Sequence, residues 1–223
     1  MKTIFTLAIA LFLMVAVSAN AVTIVTHSSN VGITGGTWSI SGTDITINET
    51  WGAVGIGMLE ISDLENGVNY TVTKNITNNT GVDWNRFAME LLDPAGDEID
   101  ASYDIATEGW VPAGYSHSNE YDGLSFAQGS GIPRTSTAFS SRIDNELGGH
   151  DYMDFFDGLV SGAGGTDVIS FGLRDYQPGS NQPFLLAQRP NEATGGPQIP
   201  EPTTMLLMGL GLAGVALRNK FRK

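Results

Sequence analysis

The chain is predicted to be all-β: a single β-sandwich, jelly-roll-like, set between two terminal segments of a different character. Three observations predict this. Short stretches place apolar residues at alternate positions, the signature of half-buried strands. Clusters of Gly, Asn and Asp interrupt those stretches at short intervals, as in two-sheet proteins. The chain has no cysteine, so an apolar core rather than a disulfide framework must hold the body together.

The elements follow in order. Trp38-Ser39-Ile40 and Ile45-Thr46-Ile47 flank Ser41-Gly42-Thr43-Asp44, which predicts a hairpin. Ala53 to Ile61 is an apolar stretch loosened by Gly55 and Gly57. Asn66-Gly67 is a turn signal. Tyr70, Val72 and Ile76 then alternate with Thr71, Thr73 and Thr77, and Lys74 interrupts the apolar face. After the turn Asn78-Asn79-Thr80-Gly81, Phe87, Met89 and Leu91 point one way and Arg86, Ala88 and Glu90 the other. Asp93-Pro94-Ala95-Gly96 closes that strand. Residues 105–150 are rich in Gly, Ser and isolated aromatics and predict long loops with short strands. Tyr152, Phe155, Phe156 and Leu159 fall at helical spacing and predict one helical patch. Val168 to Leu173 and Phe184 to Gln188 read as the last strands. The predicted core contains Trp38, Ile45, Ile47, Val72, Phe87, Met89, Leu91, Ile169, Phe171 and Leu173.

The two ends address the protein. Lys2, the apolar run Ile4 to Val17, and Ala19-Asn20-Ala21 make a secretory signal peptide over residues 1–21, cut by signal peptidase after Ala21. The sandwich domain is assigned to residues 22–190 and a linker to 191–199. The tail, 200–223, has three parts: Pro200-Glu201-Pro202, the apolar run Thr203 to Leu217, and a basic membrane stop of Arg218, Lys220, Arg222 and Lys223. As a helix of roughly 15 residues the run reaches about 22 Å, short of a bilayer core of about 30 Å. Gly209, Gly211 and Gly214 match G-x-G-x-x-G, but no strand precedes them and no βαβ unit follows, so the dinucleotide reading fails.

The order of motif, apolar run and basic end resembles the PEP-CTERM sorting signal of Gram-negative bacteria. The resemblance covers the tail alone. It implies that an exosortase recognises Pro200-Glu201-Pro202 and processes the tail. It also implies a transient stay in the inner membrane through the C-terminal helix, then release to the cell surface or extracellular matrix.

Charge narrows the partners. The formal net charge is −13, and between Val22 and Leu217 the basic residues are Lys74, Arg86, Arg134, Arg142, Arg174 and Arg189. Nucleic acid is excluded as a partner, because phosphate binding needs clustered cations. His27, His117 and His150 form no H-E-x-x-H pair, no Ser sits in a G-x-S-x-G elbow, and His150-Asp151 is the one local dyad. No catalytic residue is assigned. Asp93, Asp97, Asp100 and Asp104 make an acidic group able to hold calcium; no other cofactor is implied. A second acidic group is Asp144, Glu146, Asp151, Asp154 and Asp157. Trp110, Tyr115 and Tyr121 lie among Gly, Pro and Ser and suit sugar stacking, with exopolysaccharide as the partner. The expectation is a non-enzymatic structural or carbohydrate-binding module. The alternatives are a secreted polysaccharide-active hydrolase and a calcium-dependent adhesin.

Overall fold

The computed structural model describes residues 21–95, 110–118, 123–146, 150–176 and 183–191. Among them lie β1 (Thr23–Thr26), β2 (Ile33–Ser41), β3 (Asp44–Trp51), β4 (Gly57–Ser62), β5 (Tyr70–Asn78), β6 (Trp84–Pro94) and β7 (Tyr115–His117). They continue with β8 (Leu124–Ser125), β9 (Thr135–Ser136), β10 (Phe139–Asn145), β11 (Tyr152–Val160), β12 (Gly165–Asp175) and β13 (Phe184–Pro190). No helix occurs among the described residues. The strands form two sheets. Sheet I runs β1-β4-β13-β6-β11-β10, with β7 also on β6; sheet II runs β2-β3-β5-β12-β8, with β9 on β12.

Local chemistry explains the connections. The β2–β3 hairpin closes with Ser41 opposite Asp44, and Gly42 takes φ +60°, which a residue without Cβ tolerates at no steric cost. Asn66-Gly67 does turn the chain, yet it joins no hairpin: β4 belongs to sheet I and β5 to sheet II, where β5 lies parallel to β3. Turn chemistry reverses the chain without choosing the partner; the apolar faces of Leu59 and Ile61 on one side and Val72 and Ile76 on the other make that choice.

One buried cluster draws on both sheets, including Ile45, Ile47, Val72, Ile169, Phe171 and Leu173 from sheet II and Phe87, Met89 and Leu91 from sheet I. These expected core residues are all buried; Trp38, on the edge strand β2, is only partly so and packs against the cluster from outside. Its aromatic centre is Trp51, edge-on to Trp84 at 5.2 Å and to Phe87 at 5.9 Å between centroids. Gly57 does more than loosen its strand: a Cβ there would lie 2.3 Å from Cη2 of Trp51, so only glycine admits the indole.

The helical patch at Tyr152, Phe155, Phe156 and Leu159 is overturned: these residues form β11. β11 pairs with β6 on one edge and β10 on the other. Met153 and Phe155 reach the core, whereas Leu159 is exposed. A bulge between Phe156 and Val160, with Asp157 at φ +57°, shifts the register. The strand is covered on both faces before that bulge, so apolar residues from opposite faces, Tyr152 beside Glu90 and Phe155 beside Phe87, fall at helical spacing. Within 105–150 the described residues hold β7, β8, β9 and the unanticipated longer strand β10.

Two substitutions test this core. Phe87→Ala is expected to cost about 3–5 kcal/mol in urea unfolding. Gly57→Ala is expected to cost about 1–3 kcal/mol through overpacking against Trp51, with far-UV circular dichroism still that of a β protein.

Candidate functional site

The candidate site arises because β6 is covered on both faces. Leu92, on the outward face of sheet I, is buried in a second cluster with Met58, Val111, Leu185 and Ala187. The outward row also contains Ala88 and Glu90. Across three strands Ala187, Glu90 and Tyr152 lie opposite one another. Small neighbours at Ala88 and Ala187 leave room above Glu90, and two imidazoles fill it.

Both histidines come from the same edge of β6. That edge is shared: β11 pairs with its first part and β7 with its end, where His117 sits opposite Leu92. Between them the backbone closes the gap. Leu91 N donates to Asp151 O at 3.0 Å, Ser118 N to Leu91 O at 3.0 Å, and Asp151 N to Ser118 O at 2.8 Å. The Ser118 hydroxyl also donates to Asp151 Oδ2 at 2.6 Å. This junction places His117 and His150 side by side, their rings stacked with centroids 3.9 Å apart.

Glu90 Oε1 accepts from Nδ1 of His117 at 2.6 Å and from Nδ1 of His150 at 2.8 Å. A carboxylate only accepts, so both rings hold a proton on Nδ1. Glu90 Oε2 accepts from Nη2 of Arg189 at 3.0 Å. The Arg189 guanidinium lies 4.1 Å from the centroid of Trp110, which is also edge-on to His117. Burial pushes the Glu90 carboxyl upward, but the bonds from His117 and His150 and the charges of His117 and Arg189 outweigh it and hold the group at about 2.

Glu90, His117 and His150 are also the described residues able to hold a metal, their ligand atoms lying within 4.8 Å of one another. Two histidines and a glutamate match a zinc site with an open position. The present geometry fits a proton-bonded cluster better. Zinc bonds of 2.0–2.1 Å in tetrahedral array need ligand atoms about 3.3 Å apart, wider than the 2.6 and 2.8 Å seen here. Arg189 already neutralises the carboxylate.

The other expected site residues are dispersed. Trp110 and Tyr115 pack against the outward cluster of sheet I, Tyr115 edge-on to His27 at 5.8 Å. Asp93 is buried at the end of β6, opposite Ser116. Asp97, Asp100, Asp104 and Tyr121 lie outside the described residues, as do Ala19, Pro200, Glu201, Pro202, Arg218, Lys220, Arg222 and Lys223. In the second acidic group Asp144 and Glu146 hold Arg134, and Asp154 lies 3.7 Å from Arg86. The local dyad divides its contacts: His150 turns to Glu90, and Asp151 accepts from Ser118. Sequence reading missed the grouping of Glu90, His117, His150 and Arg189. The one trace of it is a charged residue in the alternating run of β6.

Residues 198–223 match the family model of the PEP-CTERM protein-sorting motif, and the tail therefore carries that motif. No curated protein and no solved structure matches the chain.

The cluster has a pH signature. The depressed Glu90 value means stability that is complete above the ordinary 4.5 and lost as pH falls toward about 2. That shift is worth about 3 kcal/mol. Glu90→Gln should therefore lower stability by a similar amount at pH 7, measured in urea. The gap between variant and wild type should close as the pH is taken from 5 to 2.

Proposed function

We propose that this chain is an exported, non-catalytic structural protein of a Gram-negative cell surface or extracellular matrix. Its body is a jelly-roll-like sandwich, delivered by signal peptidase cleavage and released from the inner membrane by exosortase. The carrying observation is the sorting motif at residues 198–223. The position of the preceding strand supports a structural role. β13 ends at Pro190 and is interior to sheet I, bonded to β4 on one side and β6 on the other. A load applied through the tail passes into two hydrogen-bonded ladders at once. An edge strand has only one to resist peeling. The acidic body remains hydrated and soluble in a polysaccharide matrix.

A second reading, exopolysaccharide binding, is favoured by the half-buried pair Trp110 and Tyr115 on the outward face of sheet I, next to the charged Glu90–Arg189 pair. Aromatic faces beside fixed polar groups are what sugars require.

The intact mass of the mature surface form is expected to lack Met205 to Leu217. Alanine at Pro200, Glu201 and Pro202 should leave export intact and block that maturation. A surface form that retains Lys223 would refute the processing step. Retention on the host's own exopolysaccharide should fall with Trp110→Ala and Tyr115→Ala if the second reading holds, and be unchanged if the body is purely structural. Turnover of that polysaccharide, abolished by Glu90→Gln, would instead make the protein an enzyme. A melting temperature raised by calcium and lowered by chelator would make it a calcium-dependent adhesin.

A further inference from the structure

The interior between the two sheets contains a lysine. Lys74 lies on β5 in the inward row with Val72 and Ile76, and it is wholly buried. Its partner is Glu49, one strand away on β3, equally enclosed. Glu49 Oε2 is fixed by the Trp51 indole N–H at 3.0 Å. Glu49 Oε1 meets two groups at once. One is the Lys74 ammonium; the other is the carboxamide of Gln188, which reaches across from β13 of sheet I and donates through Nε2 at 2.9 Å. Gln188 Oε1 has no hydrogen-bond partner among the described residues. An amine, a carboxylate and a primary amide thus converge on one oxygen, enclosed by the apolar residues of two sheets.

Buried ion pairs are a poor source of stability, because desolvation offsets most of the attraction. The three groups are, however, the parts of an amide-transfer reaction. We propose that Lys74 and Gln188 become joined by an intramolecular isopeptide bond, with Glu49 as the proton carrier. Lys74 passes a proton to Glu49, and the neutral Nζ attacks Cδ of Gln188. Glu49 relays protons from the attacking nitrogen to Nε2. The Cδ–Nε2 bond breaks, ammonia leaves, and a secondary amide replaces the primary one. No oxidant, reductant or cofactor is needed.

Two features favour the reaction. Burial lowers the Lys74 amine below its ordinary 10.5, outweighing the pull of Glu49, and so favours the neutral nucleophile. Tight packing holds the groups together without loss of freedom at the moment of reaction. The product would clamp β5 of sheet II to β13 of sheet I, the strand that leads to the tail. A chain without cysteine would thereby gain a covalent cross-link.

The test is mass spectrometry of the full chain, purified from membranes in detergent and then denatured. The wild-type chain is expected to be lighter than its processed sequence by the mass of one ammonia. Trypsin should fail to cut after Lys74, and a branched peptide containing Lys74 and Gln188 should be found by fragmentation. Glu49→Gln and Lys74→Met should each restore the full mass. The wild-type result decides the matter even if the variants fold poorly. An unreduced mass with a linear peptide ending at Lys74 would overturn the proposal. A mass reduced by ammonia but with trypsin cutting after Lys74 would place the loss elsewhere and overturn it equally.

Discussion

Strand β6 sends Phe87, Met89 and Leu91 into the space between the sheets and Ala88, Glu90 and Leu92 the other way, and both sets are buried. Most two-sheet domains leave the outward face to water, where an alternating strand can carry charges freely. Here the outward face of sheet I is covered by residues 110–111 and by the histidines on either side of the Ser118–Asp151 junction. A glutamate at position 90 therefore has to be neutralised inside the protein. The stacked imidazoles, Arg189 beneath Trp110 and the splitting of one strand edge between β7 and β11 all follow from that requirement.

The protein meets the same problem twice, with different solutions. Glu90 receives bonds from three donors that share its two oxygens, and its carboxyl is held near 2. Glu49, on the inner side, is matched to one amine, one amide and one indole. The outer cluster retains a partly exposed member, His150, and so remains in contact with protons from solvent. The inner one is sealed, which removes water both as a competitor for hydrogen bonds and as a nucleophile. That difference suits the first to a charge-balanced structural centre and the second to chemistry among its own members.

Anchoring and architecture meet at β13. Gln188 faces inward to Glu49 while Arg189 faces outward to Glu90, so adjacent residues of one strand tie both clusters together. The strand's interior place in sheet I makes it a firm terminus for the segment that leads to the sorting motif. Its alternation does not distinguish polar from apolar roles; Gln188 is as buried as Leu186.

Alternation at Phe87, Met89 and Leu91, and at Ile169, Phe171 and Leu173, was enough to identify β strands and their core faces, because period-two geometry is local. The tail was legible for the same reason: motif, apolar run and basic end are contiguous. Pairing was not legible. Asn66-Gly67 marks a turn, but only packing sends β5 to lie parallel with β3 in the opposite sheet. β11 imitated a helix because both of its faces are buried, so Tyr152 and Phe155 on opposite faces are both apolar and strict alternation is lost. Glu90 was placed opposite the core face without any sign that it would be covered. Its partners come from β7, from a position two residues before β11 and from β13, each apolar or polar in context with no spacing of its own. The sequence by itself determined the all-β class, the sorting motif of the tail and the apolar face of the strands it identified. Tertiary structure alone decided which charged groups meet, because ladders between distant strands, not neighbours in the chain, bring Glu90 to His117, His150 and Arg189, and Lys74 to Glu49 and Gln188.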